Sequence, residues 1–230
     1  MQMAKKSKHI IDDGYAPELL EGAAFDGELE IPFIRGTWDL TPPRFLCPFS
    51  KRGATRMGDE YICFYEHDFR FRKVLEHTAK CLAQISCKFS AIVSPDCSLY
   101  RDMPLVLQIM NTYLNRAVGH YFQRNGIKVI PNVRWGDRRS YFGTCRIEPF
   151  AFLGVEKGSA VSIGTYGCIA TAEDRLFFSE GLDAMLKAIK PTKVLVYGNM
   201  PDDLFPANIR IKSEFIHYTD WMTLKRKGGF

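Results

Sequence analysis

The chain has 230 residues, 46% hydrophobic and 25% charged, which suits one packed domain or at most two small ones. Aromatic residues at 13% argue against disorder, and a formal net charge of +5 excludes a strongly basic, histone-like binder while leaving nucleic acid open as a partner. No run approaches the ~18 apolar residues of a membrane span, and residues 1–9 lead into Asp12 and Asp13 rather than into the apolar core of a signal peptide.

Residues 1–30 read as an arm, in which Lys5, Lys6 and Lys8 precede a stretch from Asp12 to Glu30 without one basic residue. Residues 31–60 carry Pro32, Pro42, Pro43, Pro48, Gly36, Gly53 and Gly58, and such a density of breakers predicts irregular structure, a loop covering something. From Tyr61 the pattern turns regular. Residues 61–65 read as a buried strand, and residues 71–89 carry the helical stripe Val74, Leu75, Ala79, Leu82 and Ile85. Residues 91–93 form the next strand. Asp102, as a cap, and Pro104 then open a long helix, because proline is tolerated in the first turn where its missing N–H has no intrahelical acceptor. That helix closes at Asn125-Gly126, a good C-cap pair. Residues 127–133 are a strand that Pro131 shortens or ends. Residues 160–163 and 194–197 are strands, and residues 175–189 are a helix stopped by Lys190-Pro191. Residues 209–215 add a last, edge strand.

Strands joined by helices of this length imply parallel pairing through right-handed crossovers. The expected fold is α/β, with about five mostly parallel strands and crossover helices in an open sheet or a partial barrel. One domain then spans residues 61–230, behind an N-terminal arm and cover segment of residues 1–60.

In parallel α/β folds a ligand lies beyond the carboxyl ends of the strands. The loops there hold Glu66-His67-Asp68, the run from Ser94 through Asp96 and Ser98 to Arg101, the run from Asn132 to Arg139, Gly164-Thr165-Tyr166-Gly167, and Gly198-Asn199. Asp96 and Asp137 fall on the same face of the sheet, where two carboxylates suit an acid/base pair or a divalent cation. Asp96 equally suits an Asx-turn, and Asp137 among Arg134, Arg138 and Arg139 equally suits a surface ion pair. Trp135 offers a flat face for a base or sugar, or else a core or lid residue. Arg101, Arg134 and Arg138 match phosphate or carboxylate geometry, and Ser98, Asn132, Thr165 and Asn199 supply polar contacts. The Gly164–Gly167 turn either cradles an anion with its amides or is a plain turn.

Seven cysteines, none spaced as C-x-x-C and most in apolar runs, read as reduced core residues of a cytoplasmic protein rather than zinc ligands. The five histidines do not cluster, and no H-E-x-x-H, G-x-S-x-G or phosphate-loop motif is present.

The run Val93-Ser-Pro-Asp-Cys-Ser-Leu-Tyr-Arg-Asp-Met-Pro104, with residues 108–113, 126–131 leading to Trp135, 160–164 and 194–198, resembles an uncharacterised family of phage, plasmid and mobile-element proteins. The likeness covers roughly residues 30–200. It implies a mobile-element setting and carries over no activity and no catalytic residue.

Three functions fit. The first is a nucleic-acid-associated protein that binds an anionic ligand at the strand ends, with or without metal-dependent phosphodiester chemistry at Asp96 and Asp137. The second is a small-molecule enzyme or ligand trap for a nucleotide or carbohydrate. The third is a structural protein whose residues 1–60 wrap a protein partner. Charge is segregated: residues 35–146 hold 18 basic and 9 acidic side chains, whereas residues 10–34 hold 7 acidic and no basic ones. An anionic ligand is therefore expected on the 35–146 half, with the acidic stretch able to fold back and shield it.

Overall fold

Alternate positions along each strand enter different cores, and that division organises the molecule. The computed structural model of the protein describes residues 16–54, 59–226 and 228. A short antiparallel pair, β1 (Phe25–Asp26) and β2 (Ile31–Pro32), comes first. The parallel strands β3 (Leu46–Pro48), β4 (Tyr61–Cys63), β5 (Ala91–Val93) and β6 (Lys128–Ile130) form one sheet, and β7 (Val161–Gly164), β8 (Lys193–Tyr197) and β9 (Glu214–Tyr218) form a second. Strand order follows chain order in both, and a parallel bridge between Asn132 and Ser162 links β6 to β7. Helices α1 (Arg72–Glu76) and α2 (Thr78–Ser86) connect β4 to β5, and α3 (Leu105–Arg124) connects β5 to β6. The short α4 (Arg138–Tyr141) precedes β7, and α5 (Ala172–Ile189) connects β7 to β8. Finally α6 (Ala207–Arg210) precedes β9, and α7 (Trp221–Arg226) follows it. The chain thus adopts the expected α/β class.

Side chains on a strand point alternately to opposite faces. Tyr61, Cys63 and Tyr65 face an inner core shared with Leu46, Ala91, Val93, Ile130, Leu195, Tyr197 and Tyr218. Ile62, Phe64, Ile92 and Val129 face outward, against Val74, Ile85, Val118 and Phe122 of the helices. Val161, Ile163, Val194 and Val196 face outward against Phe178, Leu182, Met185 and Ile189 of α5. A flat array would set β3 and β9 roughly 29 Å apart at the usual strand spacing. Instead Tyr218 donates to the carbonyl of Pro43 at 3.1 Å, just ahead of β3, and Lys193 donates to the carbonyl of Leu40 at 2.9 Å. The strands therefore curl around the inner core. They do not close into a barrel, since no ladder joins β9 to β3 among the described residues. The gap is filled by residues 37–43. Thr37 accepts from the amide of Ala160, Thr41 accepts from the Tyr61 hydroxyl, and Leu40 is buried in the inner core. Residues 37–41 thus lie at the amino ends of β4, β7 and β8.

The structure moves several sequence boundaries. Leu46–Pro48, inside the segment expected to be irregular, is a parallel strand. The edge strand expected at 209–215 lies at Glu214–Tyr218, because residues 207–210 turn into α6 after Pro206. The single helix expected over 71–89 breaks at His77, which leaves the helical conformation with φ −136° and ψ 51°. Helix α3 starts at Pro104 with no side-chain cap, so Asp102 does not cap it. Its other end is as expected: Gly126, with φ 85°, gives its amide to Gln123, and Ile127 gives its amide to Phe122. Helix α5 starts three residues early through a capping box between Thr171 and Asp174. Of the expected arm, residues 1–15 lie outside the described residues. Residues 18–21 pack at the carboxyl end of α3, where Arg124 meets Glu21 at 3.1 Å, rather than over the strand-end loops.

One buried cation ties the layers together. Arg116 of α3 is 1% exposed and has only neutral acceptors. Its guanidinium donates to the carbonyls of Leu153 (2.9 Å), Asn132 (2.7 Å) and Ala151 (3.2 Å) and to Asn115 Oδ1 (2.7 Å). Burial lowers its pKa to about 10. Replacing it with methionine would take the donor from the Leu153 and Ala151 carbonyls, while Asn132 keeps the bond from Asn115, so Arg116→Met is expected to cost about 2–5 kcal/mol in urea denaturation. A loss below about 1 kcal/mol would show that the guanidinium is not the tie.

Candidate functional site

Beyond the carboxyl ends of β4 to β7 lies a cavity of about 300 Å³. Tyr65, Asp96 and Arg134 line it together with Trp135, Phe177 and Phe178, and Ser98, Arg101 and Tyr166 also border it. Its polar part is built around Asp96, which is 4% exposed. Asp96 Oδ1 accepts from Asn132 Nδ2 at 2.8 Å and from Arg134 Nε, and Oδ2 accepts from Arg134 Nη2. The pair is bidentate, the geometry in which a guanidinium holds a carboxylate best. Burial lowers the Arg134 pKa, but the adjacent Asp96 carboxylate, joined by Cys168, outweighs it and holds the guanidinium pKa well above its ordinary value. The remaining Arg134 Nη1 donates to Cys168 Sγ at 3.0 Å.

Asn132 is fully buried and fixes this pair to the scaffold. Its amide donates to Ser94 Oγ at 2.8 Å, its carbonyl accepts from Asn115 and Arg116, and its Oδ1 accepts from the Tyr65 hydroxyl at 3.0 Å. The same hydroxyl lies 2.6 Å from Ser162 Oγ. Burial, and then the charge of Asp96, push the Tyr65 pKa far up, so this phenol stays protonated. Its ring stacks on Tyr197 with centroids 5.0 Å apart. Gly164 makes room for it, since a Cβ there would stand 2.5 Å from the Tyr65 ring.

The expected site residues divide into groups. Asp96, Ser98, Arg101, Arg134 and Trp135 line the cavity, with Asn132 behind them. Ser98 is held by Asp68, which accepts from its hydroxyl at 2.7 Å. Trp135 is both wall and core: it packs against Phe178 at 5.3 Å between centroids, and Gly181 admits it, because a Cβ there would lie 2.2 Å from its indole nitrogen. Asp137 is not among the lining residues. Its carboxylate caps α4 by accepting from the Arg139 amide at 2.9 Å, and it pairs with the Arg139 side chain at 2.7 Å. Arg138 lies outside as well, paired with Glu180 and placed over the Phe177 ring. Thr165 and Asn199 border a second, neighbouring cavity of about 570 Å³. Among the described residues no three His, Cys, Asp or Glu side chains converge as a metal site would need. Sequence reading passed over Tyr65, Cys168, Phe177 and Phe178. Tyr65 alone carried a visible signal, as the continuation of the Tyr61, Cys63 alternation.

The arginines that suggested a basic face are individually neutralised. Arg134 meets Asp96, Arg138 meets Glu180, and Arg139 meets Asp137. Arg101 meets Glu173 and Asp174 at 2.8 Å each. The cysteines form no disulfide, and Cys47, Cys63, Cys81 and Cys97 are buried. No helix among the described residues is long and apolar enough to cross a membrane.

Residues 23–218 match the model of a family described as a domain of unknown function, DUF4417. The chain is similar to the Gene 1 protein of Mycobacterium phage L5, 29% identical over 209 residues, covering 87% of this chain and 86% of that one. It is also similar to the Gene 1 protein of Mycobacterium phage D29, 31% identical over 137 residues, or 60% of this chain. That match spans about half of the D29 protein, 48% of its length. No solved structure matches.

The pairs around the cavity make stability depend on acid. Hydrogen bonds from Thr171, joined by Arg101, hold the Asp174 carboxyl below its ordinary 3.8, and hydrogen bonds from Arg138 and Tyr141 hold Glu180 below 4.5. A carboxyl depressed in the folded state stabilises above its ordinary value and loses that contribution as pH falls through the lowered one. The melting temperature is therefore expected to fall on acidification below about pH 4, and to fall less steeply in Asp174→Asn/Glu180→Gln. Equal slopes in the two proteins would dismiss these pairs as the cause.

Proposed function

The chain belongs to the DUF4417 family, which has phage-encoded members, and we propose that it binds a small ligand with a flat ring and a polar edge, of the nucleoside or nucleotide class. The observation that carries this reading is the buried Asp96–Arg134 pair at a cavity with aromatic walls. A volume of about 300 Å³ sits at the small end of ligand pockets and accommodates a nucleoside. Trp135, Phe177 and Tyr166 supply faces for stacking. With the pair intact, Asp96 Oδ2 keeps one acceptor position and Arg134 Nη1 keeps one N–H, so a ring edge carrying a donor and an acceptor is matched by what the pair leaves unused.

This reading is favoured over a polymer of nucleic acid. Binding a duplex draws on unpaired basic side chains that displace counter-ions. Arg101, Arg134, Arg138 and Arg139 each already hold a carboxylate. It is also favoured over a metal-dependent step at Asp96 and Asp137, since one carboxylate is engaged by Arg134 and Asn132 and the other by Arg139. Of residues 1–60, expected to wrap a protein partner, residues 31–49 contribute Ile34, Leu40, Leu46 and Phe49 to the protein's own cores. Free cysteines fit a reducing, cytoplasmic setting.

The test is a titration of the purified protein with nucleosides, nucleoside monophosphates and monosaccharides, read by tryptophan fluorescence, because Trp135 lines the cavity. Saturable quenching by nucleosides or nucleotides is expected, with little dependence on salt for the nucleosides. Asp96→Asn keeps the shape of the site and is expected to weaken binding at least about tenfold, as loss of a charge-assisted pair does. A response to monosaccharides alone would turn the assignment to carbohydrate. No saturable response at millimolar concentrations would end it.

A further inference from the structure

The second cavity lies directly beside the first, the two sharing Tyr166 and Gly167 as a wall one turn thick. Its chemistry is different. Where the first cavity is walled by four or more aromatic rings, the second has one, that of Tyr166, and is lined besides by Arg175, Thr165, Asn199, two glycines and apolar residues that include Ile169 and Met200. The wall is a turn closed by the Cys168 amide donating to the Thr165 carbonyl at 3.1 Å, with Gly167 at φ 74°. The amides of Tyr166 and Gly167 make no hydrogen bond among the described residues. Gly198 keeps the first of them uncovered. A Cβ at that position would stand 3.1 Å from the Tyr166 nitrogen and 2.6 Å from Thr165 Oγ1, and its φ of 104° is one that other residues rarely adopt. Unused amides beside a glycine turn form an anion-binding concavity.

Arg175 supplies the charge. Its Nη2 is paired with Asp203, but that carboxylate side chain is 61% exposed, so the contact is a surface pair of small net strength. The planar guanidinium can exchange this partner for phosphate oxygens. The one carboxylate among the lining residues, Asp220, caps α7, its Oδ1 accepting from the Thr223 amide at 3.0 Å.

We propose that this second compartment binds a phosphoryl group, held by Arg175 and the amides of Tyr166 and Gly167, and that it receives the phosphate of the ligand whose ring occupies the first compartment. The second half of this statement rests on the nucleotide reading; the first half does not. Inorganic phosphate is the probe for the compartment alone. Calorimetric titration is expected to show saturable millimolar binding. Arg175→Gln is expected to weaken it at least about fivefold, by loss of a charge-assisted contact. Asp203→Asn removes the competing carboxylate and is expected to tighten it about two- to fivefold, the size of a surface pair. The two substitutions thus act in opposite directions, which damage to the fold would not produce. A nucleoside monophosphate is expected to bind at least about tenfold more tightly than its nucleoside, an advantage that Arg175→Gln abolishes. Absence of phosphate binding, or equal affinities in the native protein and Arg175→Gln, overturns the compartment. Phosphate binding without nucleoside binding overturns the nucleotide reading and leaves the compartment standing.

Discussion

A positive charge without a counter-ion lies between the long helix and the strand ends. Arg116 is sealed from water and held only by carbonyls and one amide oxygen, drawn from three separate stretches of chain. A buried guanidinium is costly unless nearly every donor is matched, so its position constrains everything that accepts from it. Residues 151–153 are fixed against α3 in this way. So is Asn132, whose carbonyl accepts from Arg116 while its side chain steadies Asp96. Gly154 belongs to the same constraint, since a Cβ there would meet the Pro32 carbonyl at 2.3 Å and the Arg116 side chain at 3.1 Å. Site and scaffold are thus a single hydrogen-bonded unit running from α3 through the end of β6 to the cavity.

The two ends of the curled sheet have opposite characters. At the amino ends, residues 37–43 are pinned by backbone carbonyls that accept from Tyr61 and Lys193, with Tyr218, the last residue of β9, reaching Pro43, and the space is filled by Leu40. At the carboxyl ends the loops stand apart and leave two adjoining cavities. An α/β sheet carries its ligand at the carboxyl ends because the crossover connections diverge there. Here the asymmetry is reinforced by the chain before β4, which blocks the other route.

What the sequence revealed, and what it hid, follows from the range of the interactions. Tyr61, Cys63 and Tyr65 against Ile62 and Phe64 is a local alternation, and the strand is legible from it. The Asn125-Gly126 stop is local in the same way. Leu46–Pro48 escaped notice because three residues ending in proline, among other breakers, carry too short a pattern to count. The edge strand was misplaced because Ile209 and Ile211 imitate alternation inside a short helix and the turn that follows it. The strand-end rule found the loops around the cavity. It could not find the pairings, since Arg134 reaches back 38 residues to Asp96 and Arg101 reaches forward 73 residues to Asp174. A sum of charges over residues 35–146 therefore could not show that the four arginines of the strand-end loops, Arg101, Arg134, Arg138 and Arg139, each meet a carboxylate.

The seal at the amino ends also sets the order in which the molecule can be completed. Leu40 waits for Lys193, 153 residues later, and Pro43 waits for Tyr218, 175 residues later. Contacts of such sequence separation come at a high cost in loop-closure entropy and slow the folding of parallel sheets. As the chain leaves the ribosome, β3 to β6 and their helices can assemble in sequence, each strand beside its predecessor. The inner face they create, with Tyr61, Tyr65, Ala91 and Val93, stays uncovered until β8 and β9 arrive. Folding thus ends where the chain began, and a nascent chain stalled before residue 193 would expose the aromatic interior that the finished protein buries.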